Sequence, residues 1–216
     1  MNDAPSTVGL IILLVVLGLL PFLMVTMTAF LKISVVMFII RNALGLQQTP
    51  PTMVLYSIAL ILTVFVSLPL IEDVSNRISA RPLDVSSLEK LQASANVVKD
   101  PVKAYLIRFA KPGERQFFLS STARIWPEST RANVKDDDFI ILLPAFVSSE
   151  LTRAFEIGFL LFLPFLIIDI VVSNILMAMG MMMVSPTLIS LPLKLFLFVA
   201  VDGWSRLMHG LILSYA

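Results

Sequence analysis

Residues 170–193 read IVVSNILMAMGMMMVSPTLISLPL, 24 residues without a charge. An apolar run enters the stretch, Gly180 interrupts it, three methionines follow, and Pro186 starts a second apolar run. The pattern predicts a hydrophobic hairpin with a methionine-rich tip at 180–186. A turn that meets water is built from Ser, Asn, Asp, Gly or Pro. Met is unbranched and polarizable and fills gaps whose shape changes. Met181, Met182 and Met183 therefore have two readings. They are lipid-facing or core filler, or they fill a gap whose shape changes.

The hairpin belongs to a chain of 216 residues that is 57% hydrophobic and 14% charged, with a mean hydropathy of +0.91. Soluble domains carry about 25% charged residues. The composition is that of an integral membrane protein. A net charge of +1 points to no nucleic-acid partner. The absence of cysteine excludes disulfides, thiol catalysis and Cys-based metal or iron–sulfur sites. One histidine, His209, cannot form a His-based metal site alone, so no metal and no cofactor is expected. An intramembrane enzyme needs a nucleophile–base or metal constellation. Neither an HExxH nor a GxSxG motif occurs, and no catalytic residue is assigned. The chain opens Met-Asn-Asp without a basic region, so its first apolar run is expected to stay in the mature protein.

Working outward, residues 8–41 are expected to form a first hydrophobic helix that continues past Lys32. Lys32 either snorkels from lipid or pairs with an acid on a neighbouring helix. Gly45 and the paired prolines Pro50-Pro51 stop the helix. Residues 50–75 give a second hydrophobic helix, ended by Glu72-Asp73. Residues 76–137 are a polar, mostly helical insert. Over 72–138 there are 11 basic and 10 acidic residues, about two thirds of all the charge. Ser86-Ser-Leu-Glu89 reads as a capping box, and Asp100-Pro101 as an N-cap with proline at the first helical position. Val102, Tyr105, Leu106 and Phe109 mark one face of the helix that follows, which Lys111-Pro-Gly113 ends. Residues 119–137 read as a loop, and Asp136 to Asp138 suit the positive end of the next helix.

That helix, over 138–179, is amphipathic first and then becomes the third hydrophobic segment. Glu150, Arg153 and Glu156 fall at i, i+3 and i+6, so Arg153 can meet either acid. Such charges are a solvated face or meet partners inside an assembly. Asp169 lies within the third apolar run. A carboxylate at mid-bilayer costs about 2.5–3.5 kcal/mol on insertion scales, so it is protonated, paired or out of lipid. Residues 187–213 are the fourth segment, with Lys194 and Asp202 two turns apart on one face. Each apolar run holds a proline, at Pro21, Pro69, Pro164 and Pro192. Proline kinks a helix, and bent membrane helices persist where protein or a cavity covers the backbone. The expected fold is an all-α integral membrane protein. It has four proline-kinked hydrophobic segments in hairpins and one polar helical insert. Four spans put both termini and the insert on one side.

The same residues resemble a known family. The motifs are Phe30-Leu-Lys-Ile-Ser34, Arg41-Asn-Ala-Leu-Gly-Leu-Gln-Gln-Thr-Pro-Pro51, Leu143-Pro-Ala-Phe146 and Glu150-Leu-Thr-Arg-Ala-Phe-Glu-Ile-Gly-Phe159. Gly180-Met-Met-Met183 with Pro186, and Leu191-Pro-Leu-Lys194 through Asp202-Gly-Trp204, complete the set. Together they are similar to the FliP/SctR export-gate proteins of type III secretion, over nearly all of residues 8–210. Leu46-Gln47-Gln48 looks more like the injectisome branch than the flagellar one. The resemblance implies a ring of five copies in the bacterial inner membrane. Small two-helix FliQ/SctS-like subunits and one FliR/SctT-like subunit of related fold complete it. Much of the assembly, including the insert, would stand at the periplasmic side. The tip would be a methionine gasket that closes a pore for unfolded secreted proteins. Lys32, Glu150, Arg153, Glu156, Asp169, Lys194 and Asp202 become candidates for charge pairs between subunits. The alternative is a proton- or ion-coupled transporter with Asp169 at a midplane site. A scaffold without pore contact is the third reading, and the methionine tip argues against it.

Overall fold

The computed structural model describes residues 7–80, 88–181 and 183–216. Helices account for most of them, and no strand occurs among the described residues. In chain order the helices are α1 (Thr7–Met27), α2 (Phe30–Ala43), α3 (Thr52–Ala80), α4 (Leu88–Phe109), α5 (Pro112–Ile125), α6 (Glu128–Arg131), α7 (Phe139–Ala178), α8 (Pro186–Ala200) and α9 (Gly203–Leu213). Among the described residues two helices, α3 and α7, are long and apolar enough to cross a membrane. The number rises to four if the end of α1 with α2, and α8 with α9, each count as one broken span. The chain is an all-α membrane protein. Its contacts divide it into two compact units, residues 1–31 with 67–150 and residues 32–66 with 151–216.

In the first unit, α4 packs on the start of α7. Leu106, Phe109 and Ala110 are buried on one side, and Ile141, Leu142, Ala145 and Phe146 on the other. Tyr105 lies 4.8 Å from Phe109 and 6.0 Å from Phe146 between ring centres. Each large side chain so buried contributes about 1.5–3 kcal/mol. The turn between α4 and α5 is tied to α7 as well. The Ser149 hydroxyl accepts the Lys111 N–H at 2.8 Å and donates to the Ala145 carbonyl at 2.6 Å. Burial, and the Glu150 carboxylate beside it, hold the Tyr105 phenol well above its ordinary range.

Several sequence expectations in this unit are corrected. The single helix over 8–41 is broken at Thr28-Ala29. The Thr28 hydroxyl donates back to the Met24 carbonyl and accepts the Phe30 N–H at 3.3 Å, so a side chain replaces the helical ladder. The second helix does not end at Glu72-Asp73, because Arg77 pairs with Asp73 at 3.0 Å one turn on and α3 continues to Ala80. Asp100-Pro101 starts no helix; Pro101 lies inside α4, which forgoes one backbone bond there. The capping box at Ser86-Glu89 begins outside the described residues. Pro112 opens α5 instead of closing α4, since its missing N–H costs nothing at a first position. The loop expected over 119–137 thus holds the end of α5 and the short α6.

The acidic run before α7 does more than face a helix end. Asp137 accepts from Lys103 of α4 at 2.6 Å, and Asp136 from Arg115 of α5 at 3.3 Å. Asp138 takes the Lys135 N–H at 2.8 Å, and its carbonyl accepts from Ile141 and Leu142. Lys103 holds the Asp137 carboxyl below its usual range. Exposed pairs of this kind are screened by solvent and add little. They orient α4 and α5 on α7, while the apolar contact supplies most of the stability.

In the second unit α2 is the central helix. Ile33, Val36, Met37, Ile40, Ala43 and Leu44 are all but fully buried, at the i, i+3, i+4, i+7 spacing of one inward face. Gly158 of α7 lies against Ile39 so closely that a Cβ would clash with that side chain. Tyr56 of α3 meets Phe38 edge-on at 5.3 Å. The fourth hydrophobic segment, over 187–213, is two helices bent by 62°. Asp202 sits at the break with φ +53°, a left-handed conformation that Asp tolerates better than most residues. Gly203 follows directly under the Phe198 ring, where no side chain fits.

Candidate functional site, the methionine tip and its brace

The tip is built by helix termination. Gly180 has φ +73°. Its N–H donates to the Met177 carbonyl at 3.0 Å, and the Met181 N–H donates to Leu176 at 2.9 Å. This pair of bonds around a left-handed glycine is a Schellman motif, and it ends α7 after 40 residues. The chain then turns through Met181 to Val184, whose N–H reaches the Met181 carbonyl at 3.2 Å. Pro186 at the first turn opens α8 after Ser185. Met177, Met179, Met181 and Met183 are all exposed, Met183 completely. Met182 lies outside the described residues. The tip presents thioether side chains with no charged residue among them, a surface that deforms at low cost.

Below the tip the two arms are braced. Asp169 lies 11 residues before Gly180, and Lys194 lies 8 after Pro186. At the helical rise these are about 16 Å and 12 Å along the arms. The Lys194 ammonium donates to the Asp169 carboxylate at 2.6 Å and to the Ala43 carbonyl at 3.0 Å. Ala43 ends α2. Gly45, with φ +78°, closes that helix in the same way as Gly180 closes α7: Gly45 N–H to Asn42 and Leu46 N–H to Arg41. The Ala43 carbonyl is left over by this cap, and Lys194 satisfies it. One buried ammonium thereby joins α2, α7 and α8. Two charges that composition alone marks as costly in a membrane protein meet within a single chain.

The other charged candidates are placed differently. Lys32 is fully buried, with its ammonium 3.4 Å from the centre of the Tyr215 ring, a cation–π contact. Glu150 is fully buried, Arg153 is half-buried and Glu156 is exposed, and none of the three is without a partner. Asp202 does not share a face with Lys194. It stands exposed at the break before α9, with its side chain capping nothing. Arg41 donates to the Thr52 hydroxyl at 3.1 Å and lies 5.0 Å from the Phe38 ring. Sequence reasoning missed the Ala43 carbonyl, because backbone acceptors have no signature. It also missed Tyr215 and the close approach at Gly158. A glycine inside an apolar helical run was the available signal for the last. Among the described residues no group of acids and histidine is arranged to hold a metal ion.

Comparison with known proteins gives a consistent result. The chain matches the FliP family over residues 13–211. It is 56% identical over 211 residues to the probable translocation protein y4yL of Sinorhizobium fredii, covering 98% of this chain and 95% of that one. It is 46% identical over 215 residues to the Yop proteins translocation protein R of Yersinia pestis, covering 100% and 99%. It is 41% identical over 221 residues to the virulence protein YscR of Salmonella typhimurium, covering both chains fully. A match over nearly the whole length, with the bent helices and the methionine tip inside it, makes this chain a member of the FliP family.

Proposed function

We propose that this chain is a pore-forming core subunit of a type III secretion export gate. Its relatives carry names of translocation and virulence proteins, which supports a role in a secretion apparatus. In this reading about five copies form a ring in the bacterial inner membrane, largely toward the periplasmic side. Subunits similar to FliQ/SctS and FliR/SctT complete it, and unfolded polypeptides pass through. The chain conducts and seals; it catalyses nothing.

The observation that carries the reading is the tip. Exposed methionines stand on a two-armed hairpin whose arms are fixed by the Asp169–Lys194–Ala43 contact. Several such tips converging on an axis form a ring of thioethers. That ring offers no charge to an ion, and it yields around a chain of any sequence. The charged residues Lys32, Glu150, Arg153, Glu156 and Asp202 remain candidates for contacts between subunits. A coupled transporter would need Asp169 free to exchange protons, whereas here it is committed to Lys194.

The test replaces Met181, Met182 and Met183 together by Ala in the assembled complex. The expected result is an ion leak across membranes containing the complex, with assembly unchanged by native mass spectrometry. Unchanged ion permeability in an intact assembly would overturn the gasket.

A further inference from the structure

Five of the 11 methionines fall within residues 177–183, and the chain has no cysteine. The thioether is therefore the softest nucleophile this protein carries, and the tip gathers it. Exposure separates the methionines. Met183 is completely exposed, Met179 66%, Met177 57% and Met181 39%, whereas Met37 on the inward face of α2 is at 0%. Met53, at the start of α3, is exposed as well but has no second methionine beside it in sequence.

The exposed sulfurs hold nothing up. The turn is made by main-chain bonds, from the Gly180 N–H to Met177, from the Met181 N–H to Leu176 and from the Val184 N–H to Met181. The arms below it are joined by Lys194 and Asp169. None of these contacts uses a thioether, so a chemical change at sulfur leaves the hairpin in place. The same change at Met37 would put an unpaired polar group into the core around α2.

We propose that the tip is a redox-modification site, at which hydrogen peroxide converts Met177, Met179, Met181 and Met183 to sulfoxides and so loosens the seal. The reaction is an oxygen transfer. A sulfur lone pair attacks one peroxide oxygen, the O–O bond breaks and an S–O bond forms. The proton on the transferred oxygen passes to the departing hydroxide, which leaves as water. Sulfur is oxidised and peroxide is reduced. Peroxide is small and uncharged, so a barrier against ions does not repel it. The product is a polar side chain in place of an apolar one. A thioether surface that excludes water becomes one that holds it. The chemical step needs only the exposure of the tip. Its effect on ion passage rests on the export-gate reading.

The experiment uses the full-length protein in its assembled complex, in lipid vesicles treated with hydrogen peroxide. Peptide mass spectrometry follows the gain of oxygen at each methionine, and an ion-flux assay follows the same vesicles. The expected result is oxidation of the tip methionines several-fold faster than of Met37. Ion permeability rises in step, and the number of copies in the native particle stays the same. Methionine sulfoxide reductases of both epimer specificities, with a thiol reductant, should reverse both changes. Met53→Leu should keep the response. The combined Met177→Leu, Met179→Leu, Met181→Leu, Met182→Leu and Met183→Leu protein should lose it, since Leu has no sulfur to oxidise. Tip methionines that oxidise no faster than Met37 would overturn the site. Full oxidation of the tip at unchanged permeability, where the protein with Met181, Met182 and Met183 replaced by Ala does leak, would overturn the switch and leave the export-gate reading standing. If the alanine protein does not leak either, the seal is wrong and the switch falls with it. Permeability that rises only as copies leave the particle would mean oxidative damage and would also overturn the proposal.

Discussion

Lys194 reaches Asp169 at 2.6 Å and the main chain of Ala43 at 3.0 Å with the same ammonium. The two contacts are not interchangeable, because a carboxylate at position 194 would face a carbonyl oxygen. Asp169→Ala strands a buried cation. Breaking a fully buried pair costs about 3–5 kcal/mol. Asp169 keeps 38% of its side chain exposed, so solvent screening brings the expected cost down to about 2–3 kcal/mol. The exchange Asp169→Lys with Lys194→Asp should not recover it. Thermal unfolding of the extracted protein, followed by tryptophan fluorescence, measures both. Full recovery in the exchanged protein would remove the role assigned to the Ala43 carbonyl.

The contact between Gly158 and Ile39 admits no methyl group. Gly158→Ala should destabilise by about 1–3 kcal/mol through overpacking. Much of that cost should vanish when Ile39 is also Ala, because the clash is with the Ile39 side chain. A double-mutant cycle on unfolding free energy reads the coupling directly. Additive losses would mean that the glycine is needed for something other than this approach.

Gly180 is the position where strain should report on the tip. Its φ of +73° costs an L-residue about 1–2 kcal/mol, yet a Cβ there meets nothing within 4 Å. Gly180→Ala should therefore leave the rest of the protein as stable as before and disturb only the turn. The expected readout is increased ion permeability at unchanged assembly mass. A protein that unfolds globally instead would show that the cap is coupled to the helix bundle.

The Asp137–Lys103 pair predicts an acid-side weakness in the polar insert. Lys103 holds the Asp137 carboxyl below its ordinary value of about 4 in the folded chain. The pair therefore stabilises the fold above that range, and its contribution is lost as the pH falls through the lower, folded value. The protection factors of the α4 amides, corrected for intrinsic exchange, should fall as the pH drops below the ordinary carboxylate range, and Asp137→Asn should remove part of that dependence. An identical profile in both proteins would leave the pair without a stabilising role.

Much of this architecture is legible in residue patterns. The uncharged run around Gly180, the apolar segments, the prolines inside them and the α4 face at Tyr105, Leu106 and Phe109 all follow from hydrophobicity and spacing. Helix interruptions are less visible. Thr28 breaks a helix by redirecting one hydroxyl, and Asp202 breaks another by taking a left-handed backbone; neither residue type demands a break. Proline misleads in both directions. Pro101 looks like a start and lies inside α4, while Pro112 looks like an end and begins α5. Charge partners are the least legible. Asp169 and Lys194 are 25 residues apart, and their meeting depends on how the two arms of the hairpin pack.

Helix α7 runs 40 residues without interruption, about 60 Å at 1.5 Å per residue. A hydrocarbon core of about 30 Å accommodates about 20 helical residues upright and about 26 at a 40° tilt. At least about a third of this helix must therefore project beyond lipid. Greasy residues mark both its parts, with Ile140 and Phe155 exposed in the first half and Phe159, Ile167, Ile170 and Ile175 in the second. Whichever part leaves the bilayer carries a face that water does not tolerate as a large patch. The length of α7 alone thus leaves an apolar face outside the bilayer that gains from being covered.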